Sequence, residues 1–218
     1  MARHIYTYVH PTSPKDLAAA CRALENDGVI AYPTDVNWAL GCDPASKKAL
    51  DKIRLLKPYH PKEQPFSLMC DSLGMVSTVA HIENFAYRLI KKALPGPYTF
   101  ILNRTHDLPR QIKDKRKNVG VRVPDSPLLL DLIKAFGKPI ATTSLQATTP
   151  DQDIGEKPLT FGYEIDAAFG HGLDIILDLG EELLPDETTI IDFSDGRIEV
   201  VREGRGCLKN FESFIDEN

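Results

Sequence analysis

No apolar run in this 218-residue chain approaches the ~20 residues that a membrane-spanning helix requires. The opening stretch, "MARHIYTYVHPTS", has no apolar centre of the kind a signal peptide carries, so a cytoplasmic location is expected. Cys21, Cys42, Cys70 and Cys207 are scattered, without a CxxC pair or a Cys/His cluster, and read as small buried hydrophobes rather than disulfides or zinc ligands. Neither GxxxxGK[ST] nor GxGxxG occurs. The six histidines are isolated, and no Ser–His–Asp order or paired-carboxylate signature is present. Internal repeats and low-complexity tracts are also missing. These absences set aside a membrane protein, a disulfide scaffold, a zinc site and the common nucleophile-based hydrolases.

Excess positive charge is lacking too. The net charge of −5 argues against wholesale coating of nucleic acid. One stretch departs from that balance: residues 110–127, "RQIKDKRKNVGVRVPDSP", place Arg110, Lys113, Lys115, Arg116, Lys117 and Arg122 within thirteen positions. The lysines suit a solvated loop or a basic lip for RNA phosphate. Arg122 differs, because it lies inside the alternation Val119-Gly120-Val121-Arg122-Val123, which reads as a strand.

With 42% hydrophobic and 26% charged residues, the chain is composed like an ordinary globular protein with a sizeable core. Strands are expected at 5–9, 29–33, 65–70, 98–103, 119–123, 139–144, 173–179, 188–193 and 197–201, the last two joined by the turn "SDG". Helices are expected after Ser13-Pro14, with Asp16 completing a capping-box pattern and Gly28 at the stop. Others are expected from Asp43-Pro44 to about Leu56, over 83–94, and over 126–137. Residues 145–172 read as polar and loop-like. The alternation predicts one α/β domain, residues 1–218, on a mixed, twisted, open sheet with flanking helices.

Several polar segments fall at strand ends, where open α/β sheets hold ligands. "YPTDVNWALGCD" (32–43) interrupts two apolar runs, as either a Thr34/Asp35 hydrogen-bonded turn or a ligand-lining loop with Trp38 as an apolar wall. Arg54 and Lys57 share a helix face near its end, where they complement the dipole or hold phosphate. "ATTSLQATTPD" (141–151) and "DETTIIDF" (186–193) each offer hydroxyls at a strand end, for turns or for anions.

Taken in order, "YPTDVNWALGCD", "PFSLMC", "LPGPYTFIL", "VGVRVPDSP", "PIATTS", "ETTIID" and "VVREG" resemble the YrdC/YciO family, most of all its YciO branch. The resemblance spans about residues 15–206. It implies a positively lined concave face, and an activity like that of the family's threonylcarbamoyl-AMP synthases. Those enzymes combine ATP with Mg2+, L-threonine and bicarbonate into threonylcarbamoyl-AMP and pyrophosphate, for threonylcarbamoyladenosine in tRNA. No tightly bound cofactor is implied. Position by position, the resemblance places threonine at Thr34, Arg122, Ser144 and Thr188. The nucleotide falls at Lys57, Gln64, Asn118, Ser144, Gln146 and Arg202, and RNA at the 110–117 lip.

This sequence departs from the synthase pattern at several points. "PTDTVYGL" becomes Pro33-Thr34-Asp35-Val36-Asn37-Trp38, "KxRP" becomes Leu55-Leu56-Lys57-Pro58, Met69 replaces a histidine, and "SAN" becomes Ser144-Leu145-Gln146. Each lost polar partner costs about 1–3 kcal/mol of ligand interaction. The expectation is therefore a weak synthase that binds ATP and L-threonine. The alternatives are a double-stranded RNA or tRNA binder of the same fold, or a nucleotide-bound regulator without turnover.

Overall fold

A computed structural model describes residues 2–57, 65–112, 117–145, 148–151 and 155–211. Eleven strands form one mixed sheet: β1 (Arg3–Tyr6), β2 (Ile30–Pro33), β3 (Trp38–Cys42), β4 (Ser67–Met69), β5 (Ala80–His81), β6 (Tyr98–Arg104), β7 (Asn118–Arg122), β8 (Ile140–Ser144), β11 (Ile175–Asp178), β12 (Thr189–Asp192) and β13 (Glu199–Arg202). A separate hairpin pairs β9 (Thr148–Asp151) with β10 (Gly155–Pro158). The sheet runs β1-β11-β2-β3-β8-β4-β7-β6-β12-β13, with β5 also on β6. The pairs β1/β11, β11/β2, β4/β7 and β12/β6 are parallel and the rest antiparallel. The mixed sheet expected from the alternating pattern is therefore present.

Six helices flank it: α1 (Pro14–Glu25), α2 (Lys47–Leu56), α3 (Leu73–Val79), α4 (Asn84–Ala93), α5 (Pro127–Phe136) and α6 (Gly162–Phe169). Their burial is unequal on the two faces. Leu50 and Ile53 of α2, Val76 of α3, Leu89 and Ile90 of α4 and Ile165 of α6 pack with Leu40, Leu68, Val121 and Phe100 on one face. The opposite face is covered by Leu24 of α1 and Leu129, Leu132 and Ile133 of α5, over Ile30, Tyr32, Met69 and Ile140. Because side chains alternate along a strand, Ser67, Thr99, Gly120, Arg122 and Thr142 fall on this second face, where no helix of the described residues covers them.

Some expected boundaries move for local reasons. The first strand is Arg3–Tyr6 rather than 5–9, because its partner β11 ends at Asp178, opposite Tyr6. Ser13 and Pro14 do open α1, but Ser13 makes no side-chain cap and Asp16 instead lies 3.9 Å from Arg3. The second helix is capped by Ser46, whose Oγ accepts from Ala49 N–H at 3.0 Å. Asp43 is not that cap, since its carboxylate takes Ala45 N–H at 2.8 Å and Lys138 Nζ at 2.5 Å. The stretch 145–172 holds β9, β10 and α6, and 73–79 holds α3, elements that short polar runs hide. Among the described residues, no helix is long and apolar enough to cross a membrane. Cys21, Cys42 and Cys70 are buried as expected, whereas Cys207 is exposed; all four are free.

Gly41, in β3, carries the open face into register. A Cβ there would sit 2.6 Å from the Tyr32 ring and hydroxyl and 2.8 Å from Ile140 Cγ2. Tyr32 in turn donates to Thr142 Oγ1 at 2.9 Å. Gly41→Ala is expected to cost roughly 1–3 kcal/mol of stability, read as a lowered midpoint in urea unfolding; an unchanged midpoint would show that Tyr32 has room to move.

Candidate functional site

The turn 34–37 joins β2 to β3 at the edge of the open face. Thr34 Oγ1 donates to Asn37 O at 2.7 Å and accepts from Val36 N–H at 3.2 Å and Asn37 N–H at 3.1 Å. That hydroxyl is committed to the turn, so Thr34 shapes the loop and is not among the residues lining the pocket. The turn thrusts Asp35 towards β7, where its Oδ1 accepts from Arg122 Nη2 at 2.8 Å. Its Oδ2 takes Asp125 N–H at 3.2 Å, and Asp35 O takes Arg205 Nη1 at 2.8 Å. Thus β7, the approach to α5 and the segment after β13 meet on one carboxylate residue.

Arg122 is 6% exposed. Burial lowers the pKa of its guanidinium, and the adjacent Asp35 opposes that shift by stabilising the charge. With Asp35 holding Nη2, the Nε proton remains buried and without a partner among the described residues. A second buried atom, Asn37 Oδ1, is in the same condition. Both residues line one cavity of about 100 Å3, together with Ser67, Thr99, Thr142, Thr143, Ser144, Thr188 and Arg202.

The other polar groups around this cavity are largely occupied. Thr142 Oγ1 accepts from Tyr32 and donates to Leu40 O at 3.2 Å. Thr188 Oγ1 meets Thr99 Oγ1 at 2.9 Å and accepts from Arg202 Nη2 at 3.1 Å. Arg202 also donates through Nε to Thr188 O at 3.1 Å and through Nη1 to Glu187 at 3.0 Å. On the far rim Lys57, the residue that ends α2, donates to Thr143 Oγ1 at 3.1 Å and to Ser144 O. Burial pulls the Lys57 pKa down to about 8.

A second cavity of about 310 Å3 shares Pro65, Ser67, Thr99 and Ile190 with the first. It is lined further by Phe66, Ile101, Asn118, Val119 and Val201. The arrangement therefore offers a buried cationic donor and hydroxyls at one end, and an apolar wall with polar edges beside it. Such a pair of chambers suits a small carboxylate next to a larger, partly aromatic ligand.

Of the residues singled out from sequence, Arg122, Ser144, Thr188 and Arg202 surround the first cavity, Lys57 hydrogen-bonds its rim, and Asn118 lines the second. Gln64 and Gln146 lie outside the described residues, as do Lys113, Lys115 and Arg116 of the basic lip. Arg110 and Lys117, at the lip's ends, are exposed. Trp38 is not a pocket wall: it is 2% exposed in the core, with Nε1 donating to Thr160 O at 3.1 Å. Met69 is likewise wholly buried, under α5, so neither substitution closes the pocket. Sequence reasoning did not single out Asp35, Asn37, Ser67 or Thr99 as site residues. The strand alternation was the available signal for Ser67 and Thr99; for Asp35 and Asn37 it was the possible ligand-lining loop at 32–43, which named no partner for either.

The site is thus a hydroxyl-lined cavity with a buried arginine, on the open face of a helix-flanked α/β sheet. The model of the Sua5/YciO/YrdC family, described as telomere recombination, matches residues 22–204, and the chain belongs to that family. YciO of Escherichia coli is 37% identical over 209 residues, 94% of this chain and 98% of that protein. The crystal structure of E. coli YciO superposes with a TM-score of 0.86 at 35% identity, covering 97% of this chain and all of the other. A threonylcarbamoyl-AMP synthase of Enterobacter sp. (strain 638) is 31% identical over 175 residues, 78% of this chain and 88% of the synthase. Sua5 of P. abyssi, solved in complex with L-threonine, shares the fold at a TM-score of 0.83 and 24% identity, over the whole of this chain and 61% of that one.

Removing one member of the Asp35–Arg122 pair leaves a buried charge alone. Arg122→Met is expected to cost about 3–5 kcal/mol, and the double substitution Asp35→Asn/Arg122→Met markedly less than the sum of the single changes. Denaturant unfolding of the four proteins measures this; additive losses would mean that the pair is not coupled.

Proposed function

We propose that the chain binds L-threonine by its carboxylate at Arg122 and ATP, with its Mg2+, across the adjoining face formed by Lys57, Asn118 and Arg202. It then condenses them slowly with bicarbonate into threonylcarbamoyl-AMP. The observation that carries this reading is the buried guanidinium of Arg122, fixed by Asp35 on one nitrogen and left with an unused Nε donor in a hydroxyl-lined chamber. A planar cation held in that way is suited to a carboxylate. The synthase relatives and the threonine complex of the P. abyssi protein support the choice of ligand.

In chemical terms the threonine amine adds to bicarbonate, giving a carbamate and water. A carbamate oxygen then attacks the α-phosphorus of ATP, and the bond to the β-phosphate oxygen breaks as pyrophosphate leaves with the electron pair. Positioning and charge neutralisation supply most of what such a step needs, and on this reading Lys57 and Arg202 would supply the neutralising charge. The product would serve threonylcarbamoyladenosine formation in tRNA. The departures at Val36, Leu55, Met69 and Gln146 are the reason a low rate is expected.

The direct test incubates the protein with ATP, Mg2+, bicarbonate and L-threonine and detects threonylcarbamoyl-AMP by mass spectrometry. Product is expected, falling about tenfold or more in Arg202→Ala, where a phosphate-facing cation is lost. A failure to form product or to bind either ligand contradicts the proposal.

Lys57 adds a pH signature. With a pKa near 8 in the free protein, it is protonated below that pH and neutral above it. A bound phosphate stabilises the charged form and raises the pKa, so nucleotide binding takes up roughly half a proton at pH 8 and weakens as pH rises through that value. Calorimetry in two buffers of different ionisation enthalpy measures the uptake. It is expected to vanish in Lys57→Met; equal uptake in the variant would assign the proton elsewhere.

A further inference from the structure

Asn37 stands out among the pocket residues because the synthase pattern has valine in its place. Its side chain is oriented by the hydrogen bonds around it. Nδ2 donates to Asp186 O at 3.0 Å, so a flipped amide would set two carbonyl oxygens against each other. Oδ1 is therefore the atom left over, buried in a residue 5% exposed and without a partner among the described residues. An unsatisfied buried acceptor of this kind is costly in the empty protein, and the cost is relieved when a ligand brings a donor. The neighbouring hydroxyls of Thr142 and Thr188 are engaged by Tyr32 and Leu40 and by Arg202 and Thr99, so they do not fill that role for Asn37.

We propose that Asn37 is a specificity-determining residue whose carbonyl oxygen accepts a hydrogen bond from the side-chain hydroxyl of a small hydroxy-amino acid held by Arg122. This rests on the reading of the pocket as a threonine-type site. On that reading the carboxylate lies at Arg122, and the α-nitrogen must stay open to bicarbonate so that the resulting carbamate can reach the α-phosphorus. The non-reacting side chain is then the part that meets a buried acceptor. A site that hydrogen-bonds a hydroxyl rejects the analogue lacking it far more strongly than an apolar pocket distinguishes one methyl group.

The experiment is calorimetric titration of the full chain with L-threonine and with its near-isostere L-valine, repeated for Asn37→Val and Asn37→Thr. Both variants remove the amide that meets Asp186 O, and they differ from each other by a hydroxyl in place of a methyl group. The wild-type protein is expected to bind L-threonine at least about tenfold tighter than L-valine. Asn37→Val brings the ratio close to one, and Asn37→Thr restores part of it. Equal binding of the two amino acids by the wild type overturns the assignment without recourse to any variant, and so does an unchanged ratio in Asn37→Val. If the wild type binds neither amino acid, the reading of the pocket itself fails, and this assignment with it.

Discussion

The site depends on one ion pair, Asp35–Arg122, brought together from positions 87 residues apart. Two charges at 2.8 Å in a nearly dry environment gain strongly from each other, but they lose their hydration, so the pair stabilises the fold only modestly in net terms. Its importance lies in what it fixes. The turn between β2 and β3, the strand β7, the backbone entering α5 and Arg205 beyond β13 all converge on Asp35. Because Asp35 occupies one edge of the guanidinium, Arg122 presents its remaining donors in a set direction. Partial pairing of this kind makes the Asp35–Arg122 unit neutral overall while leaving the guanidinium donors that Asp35 does not hold.

The uneven coating of the sheet explains why the chamber is where it is. One face is sealed by α2, α3, α4 and α6, whereas on the other α1 and α5 pack against Ile30, Tyr32, Met69 and Ile140. Further along that face no helix of the described residues arrives, and the period of two turns alternate residues of β8, β4, β7 and β6 towards the cavity. Those residues are Thr142, Ser144, Ser67, Arg122, Gly120 and Thr99, all of them small or polar. An uncovered sheet face lined in this way avoids leaving a large apolar patch in water, and it provides preorganised hydrogen-bonding groups on rigid strands.

Much of this was readable before any coordinates. The alternation around Val119–Val123 showed that Arg122 belongs to a strand, and the hydroxyl run at 142–144 pointed to the end of β8. What escaped was set by distance in sequence or by local composition. "PTDVN" looks like a loop whether or not a strand follows, so β3 was absorbed into it, although Trp38–Cys42 is central to the sheet. The assignment of Trp38 to a pocket wall failed for the same reason: once Trp38 is on a strand, its face is decided by the pleat. The helix start expected at Asp43-Pro44 moved to Ser46 because Asp43 is claimed by Ala45 N–H and by a lysine 95 residues away. The pairing of Asp35 with Arg122, and the orphaned oxygen of Asn37, are tertiary facts with no sequence periodicity behind them.

The central claim is that the unused Nε–H of Arg122 receives a carboxylate, and the nitrogen itself is the most direct witness. Its ¹⁵N–¹H resonance can be followed while L-threonine is added to the protein in the presence of ATP and Mg2+. The account predicts a saturable downfield shift of the Nε proton together with protection from exchange with water, as a charge-assisted hydrogen bond forms. An Nε–H signal unmoved by saturating L-threonine would contradict it and would take the carboxylate away from Arg122.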